Sequence, residues 1–353
     1  MIARWWERRR GSGEESAGTS APTSVGVPVG GTVLVLGVLS VLLCLVSLAV
    51  GSHSLTLEEV AGAFVPGRTT VASVIVWQLR MPRTVLAVMV GASLAVAGVV
   101  MQGLTRNPLA EPGILGINAG ASLSVVLSMS LLGLTDVSDF LWFAFAGAAL
   151  AAFLVHLMSV RSADAGPARL VLAGVALGAS LRSITGTITM YDSVTFDSYR
   201  FWVLGSLADR DAVLLVWVAP FLVVGLVLAL ASGLTLNALV LGEEQAKALG
   251  VSPRRARALA LISITLLCGA STAAVGPISF VGLVVPQVLR LALGADQRRL
   301  LAVSLVAGPV LLLAADVVGR VILDSGEMEA GVVTAFIGGP VLLLMVIQRM
   351  GVK

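Results

Sequence analysis

WQLRMPRTVLAVMVGASLAVAGVVMQGLTRNPLAEPGILGINAGA, Trp77 to Ala121, is the stretch whose reading decides the fold. Arg80 and Arg83 bracket Pro82 at its start. The run from Thr84 to Met101 carries no charge and, with its flanks, is long enough to cross a bilayer. Gly91, Ala92, Ser93, Ala95, Ala97 and Gly98 make it dense in small residues, which let helices approach closely in lipid. A polar break, Arg106-Asn107-Pro108-Leu109-Ala110-Glu111-Pro112, then stops the helix, because its two prolines cannot continue the hydrogen-bond ladder and push their predecessors out of helical geometry. A second apolar run opens at Gly113, with Gly116 and Gly120 one turn apart. This pattern predicts a hairpin of two closely packed membrane helices around a rigid turn at Arg106, Asn107, Pro108 and Pro112.

Composition agrees with that reading. Of 353 residues, 57% are hydrophobic and 12% charged, about half the charged share of a soluble domain. The mean hydropathy is +0.99, which puts the chain among polytopic all-α membrane proteins. A net charge of +3 without a basic, aromatic-interleaved patch gives no reason to expect nucleic acid as a partner. Cys44 and Cys268 both lie in apolar runs and read as buried structural thiols; His53 and His156 are too far apart in sequence to suggest metal-ligand spacing.

Outward from the deciding stretch, residues 1–29 form a polar arm in which Arg4, Arg8, Arg9 and Arg10 precede a Gly/Ser/Thr/Pro-rich segment; the composition predicts disorder. A signal peptide is the competing reading, but the first apolar run, 30–50, starts late and has no convincing small-residue cleavage site after it. The transmembrane remainder, 30–353, divides into ten predicted spans at about 30–50, 82–103, 113–133, 139–159, 170–190, 212–232, 255–274, 278–293, 300–319 and 331–349. An even number of spans puts 16 of the 23 basic residues on the side of both termini, so the positive-inside rule makes that side cytoplasmic. Arg68, Arg80, Arg83, Arg200, Arg210 and Arg320 are left on the outer side, and of these Arg80 and Arg83 lie against the start of the second span and Arg320 against the end of the ninth.

Few ionisable groups fall inside spans. Asp316 and Arg320 are spaced i,i+4 on one helix face and are expected to neutralise each other. Arg182 sits near the middle of the fifth span, on the order of 12–18 Å from either end at helical rise, too far to reach a surface easily. Its cost has to be offset by a carboxylate such as Asp316, by carbonyls, or by water in a cavity. Its small and hydroxyl neighbours, Ser183 and Gly186 among them, suit a wet interface better than lipid. No GxxxxGK[ST] loop, HExxH or GxSxG motif occurs, so the chain carries no evident nucleotide site, metalloprotease site or nucleophile elbow.

Three pieces of the opening stretch, LRMPRT, GASLAVAG and RNPLAEPGILG, resemble the signature of the iron-siderophore and cobalamin class of ABC importer permeases. LNALVLGEEQAKALGVSPRRAR (236–257), VGPISFVGLVVPQVLR (275–290) and EMEAGVVTAFIGGP (327–340) extend the resemblance over nearly the whole chain after the arm. Two positions depart from the family pattern: Gln287 stands where histidine is usual, and Met328-Glu329 where Leu-Pro is usual. The resemblance implies the type II ABC importer permease fold, with both termini cytoplasmic and two pseudo-symmetric halves at about 82–190 and 255–349. It implies coupling helices at 236–252, where Leu236, Asn237, Leu239, Leu241, Gly242, Glu243, Ala246, Leu249 and Gly250 meet a cleft of an ATP-binding subunit. A loop lying on the membrane surface is the alternative for that segment. The resemblance further implies that Arg80, Arg83 and Arg320 meet acidic residues of an extracytoplasmic binding protein, with lipid-headgroup anchoring as the alternative.

The implied partners are a second permease subunit, identical or different, two ATP-binding subunits, the binding protein and the lipid bilayer. No cofactor is expected on this chain, and ATP and Mg belong to the ATPase subunits. The implied location is the bacterial cytoplasmic membrane. The implied cargo is a ferric siderophore, with cobalamin or haem as alternatives. An ion-coupled secondary transporter would show similar broken helices but should carry a midplane carboxylate cluster, which the sequence lacks.

Overall fold

The computed structural model describes residues 28–51, 54–65, 70–160, 167–323 and 326–350. All but the last two residues of the predicted arm, together with His53, lie outside the described residues.

Helices account for all the regular structure among the described residues: α1 Val29–Ala49, α2 Leu57–Gly62, α3 Val71–Thr105, α4 Ile117–Leu132, α5 Val137–Val160, α6 Pro167–Tyr191, α7 Ser193–Val203, α8 Ala212–Ala231, α9 Gly233–Leu241, α10 Glu243–Ala248, α11 Pro253–Val275, α12 Val281–Leu293, α13 Gln297–Val321 and α14 Ala330–Met350. Eight of these are long and apolar enough to span a bilayer; α4 and α12 are apolar but shorter. All ten predicted spans thus coincide with helices, and α7, on the outer side by the predicted orientation, was not anticipated.

Three expectations about the deciding stretch need correction. The helix does not begin at Pro82. It starts at Val71 and runs through a π-turn at Ile75–Arg80, with Pro82 at the start of the α-helical part. The wider turn accommodates a ring that has no N–H to donate and would clash with the preceding carbonyl. Secondly, the next helix begins at Ile117 rather than Gly113: Pro112–Leu115 form a 3₁₀ turn, and Gly116 takes a left-handed conformation (φ 77°) before α4. Thirdly, α3 and α4 are not a packed hairpin. The small residues of α3 serve other neighbours, Gly91 meeting the backbone of Gly308 on α13 and Gly98 that of Gly282 on α12, while Gly120 of α4 meets Gly147 on α5. At these crossings backbone touches backbone, and a side chain on either glycine has no room.

α3 is therefore the core: Leu86, Val90, Val96, Val99, Val100 and Met101 are fully buried in it, surrounded by α8, α11, α12 and α13. By contrast α1 and α8 turn Leu34, Val38, Leu42, Leu45 and Val213, Val216, Val223, Val227 outward, as lipid-facing helices do.

α12 is shorter than the predicted eighth span because residues 276–280 run as irregular chain and Phe280 caps the helix in a left-handed conformation (φ 70°). Irregular backbone is tolerated at such depth only where protein covers it. Here Glu111 accepts the Phe280 N–H at 2.6 Å, and the Phe280 ring lies on Gly338 of α14.

Candidate functional site: three polar stations on the helical bundle

The first station joins the last turns of α1 and α13 to α3 where its π-turn ends. Asp316, 1% exposed, lies between two arginines. Arg83 donates from Nε (3.0 Å) and Nη2 (2.8 Å) to Asp316 Oδ1, and Arg320 pairs with Oδ2. The i,i+4 pairing expected from the sequence is thus present, enlarged by Arg83. Arg83 also donates from Nη1 to Glu327 at 2.6 Å. Arg320 further donates to the Ser47 and Val50 carbonyls (2.8 and 3.1 Å), which are the free C=O groups of the last turn of α1. Arg80 donates to Leu48 O at 2.7 Å, and only 6% of it is exposed. Arg80, Arg83 and Arg320 are therefore all held by hydrogen bonds within the chain. Together with Arg210 and Glu327 they line a cavity of about 510 Å³. The sequence offered no signal for Glu327 or Arg210 beyond their outer position, since their neighbours come from distant elements.

The second station is at the opposite, basic end. α9 and α10 are separated by Gly242, whose φ of 126° favours glycine and where a Cβ would strike the Gln245 side chain. The segment expected to hold coupling helices, 236–252, has two, Gly233–Leu241 and Glu243–Ala248, followed by a reversal at Gly250 (φ 77°). Leu236, Leu239 and Ala246 are buried against the bundle, so Leu239 does not project as the expected anchor, whereas Leu241 (63%) and Leu249 (64%) are exposed. Asn237 donates to Asp296 Oδ1 (3.1 Å) and accepts from the Gln297 N–H (2.9 Å). These bonds tie α9 to the start of α13, which carries the first station at its far end. The Asn237 hydrogen bond, reinforced by the Arg298 and Arg299 N–H groups, holds the Asp296 carboxyl below the usual carboxylate range. Glu243 pairs with Arg257 of α11.

The turn at 106–112 sits beside this end. Arg106 caps α3 in a left-handed conformation (φ 51°), and Asn107 accepts the Leu109 N–H at 3.0 Å. Gln287 donates to Pro108 O at 2.8 Å and Arg290 to Gln102 at 3.1 Å, joining the turn and α3 to α12. A neutral amide thus makes this contact, which requires no titratable group.

The third station is α6. Its buried edge, Leu170, Gly174, Gly178 and Thr185, packs on α4, α5 and the 3₁₀ turn, with Gly174 against Ile114 O. Its opposite face is open: Ala176, Ala179, Ser180, Arg182, Ser183, Gly186 and Thr187 are exposed, as are Leu172, Val175, Ile184 and Met190. Arg182 forms no pair with Asp316, whose oxygens Arg83 and Arg320 occupy.

A long-helix bundle with a basic end and an arginine-lined opposite end is the architecture of a multi-pass membrane protein. A solved chain from a metal-chelate type ABC transporter in an inward-facing conformation superposes with a TM-score of 0.80 and 28% identity, over 90% of this chain and 99% of that one. Residues 38–348 match the FecCD transport family, and the chain belongs to that family. It is 44% identical over 305 residues to the ferric enterobactin transport system permease protein FepD of Escherichia coli, covering 86% of this chain and 91% of the relative. It is also 43% identical to the vitamin B12 import system permease protein BtuC of Yersinia pseudotuberculosis, over 79% of this chain and 83% of that one. The chain is a multi-pass membrane protein and a permease of the ABC importer class.

Proposed function

We propose that this permease imports a ferric siderophore across the bacterial cytoplasmic membrane, in an assembly with a second permease subunit, two ATP-binding subunits and an extracytoplasmic binding protein. The observation that carries the cargo is the 44% identity to a ferric enterobactin permease along most of both chains. Vitamin B12 permeases at 43% identity keep a cobalamin as the second reading.

Each station has a role in this reading. At the second, the exposed Leu241 and Leu249 and the ends of α9 and α10 enter a cleft of the ATPase subunit, where ATP and Mg are bound. ATP-driven closure of the ATPases moves these helices, and the Asn237 bonds carry the movement into α13. At the first, carboxylates of the binding protein dock on Arg80, Arg83 and Arg320. Because the guanidinium of Arg83 is already filled by Asp316 and Glu327, a docking carboxylate displaces Glu327, the more exposed of the two. Bidentate arginine–carboxylate pairs suit such an exchange, being strong yet geometrically replaceable. The third station, with Arg182, Ser183 and Gly186, lines the translocation path between two permease subunits.

The test is uptake of ⁵⁵Fe-siderophore by cells lacking their own permease and given this chain with its cognate partners. Uptake of ferric siderophores supports the reading. Uptake of a cobalamin with no iron uptake would reassign the cargo, and uptake that persists when the ATPase subunit is inactivated would remove the class of mechanism.

A further inference from the structure

α6 is 25 residues long, and Arg182 is its sixteenth. Among the described residues its guanidinium has no ion pair and no hydrogen-bond partner. It lies near Gly178, one turn back along the helix, where a Cβ would be 3.4 Å from Nη1. Gly178 in turn adjoins Gly116, at the tip of the turn that follows residues 106–112. The arginine thus lies one turn beyond the contact of α6 with Gly116, at the start of α4, and past the midpoint of its own helix.

Within one turn of Arg182 along its own stripe the outward face is small and polar, while Val175 two turns back and Ile184 on the flank are outward as well. Residues 179, 182, 183 and 186 follow the i−3, i, i+1, i+4 spacing of one helix face. They are Ala, Arg, Ser and Gly, and a Cβ on Gly186 would meet open space. Outward positions on α8 are Val216, Val223, Val224 and Val227. An unpaired cation at mid-helix is costly in hydrocarbon, and charged groups at such depth face a bundle interior or a water-filled cavity. Small side chains leave room for water and for a bulky solute, whereas valines fill it with hydrocarbon.

We propose that Arg182 is a specificity-determining residue: its free guanidinium lies in a water-filled path and gives passing metal chelates that carry net negative charge an attractive midpoint. The proposal rests on the importer reading and names the substrate class within it: anionic chelates, of catecholate or carboxylate type, over neutral ones. In an assembly with two copies of this chain, two such guanidiniums face the path. A paired structural arginine would instead need a carboxylate, and the candidate from the sequence, Asp316, is taken.

The experiment has two arms and uses the full assembly with its ATPase subunits. In the first, Cys44 and Cys268 are replaced and Ser183→Cys is introduced, with Val227→Cys as the lipid-facing control. Anionic and cationic methanethiosulfonates of equal size are applied in water. Ser183→Cys should react much faster than Val227→Cys. Two unit charges about 6 Å apart in water alter a rate roughly threefold, so R182Q should lower the anionic-to-cationic rate ratio about tenfold, and R182K should keep it. In the second arm, uptake of an anionic ferric tricatecholate and a neutral ferric trihydroxamate is compared. R182Q should lose the anionic chelate selectively and R182K should retain it.

A thiol at 183 that reacts no faster than one at 227 overturns the proposal, because the face is then dry. A rate ratio that R182Q leaves unchanged, or equal loss of both chelates, also overturns it, while leaving the importer reading standing. That reading fails separately, if the wild-type assembly takes up no metal chelate.

Discussion

Replacing Asp316 by asparagine removes one negative charge from a site that holds two cations and is almost closed to solvent: Asp316 is 1% exposed and Arg320 5%. The side-chain volume hardly changes, so the loss is electrostatic. Removing one partner from a buried pair costs roughly 3–5 kcal/mol, because the remaining charge stays desolvated. Two features place this case near the lower bound. Arg83 keeps Glu327 at 2.6 Å, and Arg320 keeps the carbonyls of Ser47 and Val50. An expected loss of about 3 kcal/mol corresponds to a fall of about 5 °C in the unfolding midpoint for a chain of this size. The assay is thermal unfolding of the detergent-purified permease, followed by loss of the monodisperse species. Asp316→Asn with Arg320→Leu should recover part of the loss, since a buried pair replaced by neutral side chains leaves no stranded charge. A midpoint for Asp316→Asn within 1 °C of wild type, or a double variant worse than the sum of its parts, would refute the argument that Asp316 is the charge holding α1, α3 and α13 together.

Gly98→Leu should abolish accumulation of folded protein, because the new side chain meets the Gly282 backbone; Gly186→Leu, facing open space, should be tolerated in folding, and size-exclusion profiles of the two separate the cases. Arg83→Glu should weaken capture of the binding protein and make the remainder more salt-sensitive, whereas Glu327→Gln should strengthen capture by freeing Arg83, both read in pull-downs across a salt series. Gly242→Val should leave the permease inserted yet release it from its ATPase, or uncouple hydrolysis from transport, because φ of 126° is closed to valine. Asp296 titrates below the ordinary carboxylate range, so its bond to Asn237 contributes stability above about pH 4 and loses it as pH falls through the lowered value. Asn237→Ala should remove that acid-limb component from pH-dependent unfolding.

Helix positions were legible because apolar length and charge-free runs are local properties: Val29–Ala49, Ala212–Ala231 and Gln297–Val321 fall within a few residues of the predicted spans. Which helices touch was not legible. The glycines at 91 and 98 signalled close approach correctly, but nothing near them in sequence names Gly308 and Gly282 as their partners. The extension of α3 back to Val71 escaped because Arg80-Met81-Pro82 has the composition of a helix start, whereas the chain passes through it by a π-turn. At the sites, Asp316 and Arg320 were found because their spacing alone brings them together, whereas Glu327 and Glu111 depend on contacts 244 and 169 residues away. Leu239 and Leu241 were indistinguishable as apolar residues of a coupling segment; the break at Gly242 decides that one is buried and the other exposed.

The most direct measurement of the central claim is transport by proteoliposomes that hold this permease with its ATP-binding subunits, supplied outside with the binding protein loaded with an anionic ⁵⁵Fe-siderophore. The account predicts accumulation of iron that requires ATP on the ATPase side, stops when Gly242 is replaced by valine, and falls with Arg182→Gln more for the anionic chelate than for a neutral one. Accumulation that proceeds without ATP and follows an imposed ion gradient would contradict it.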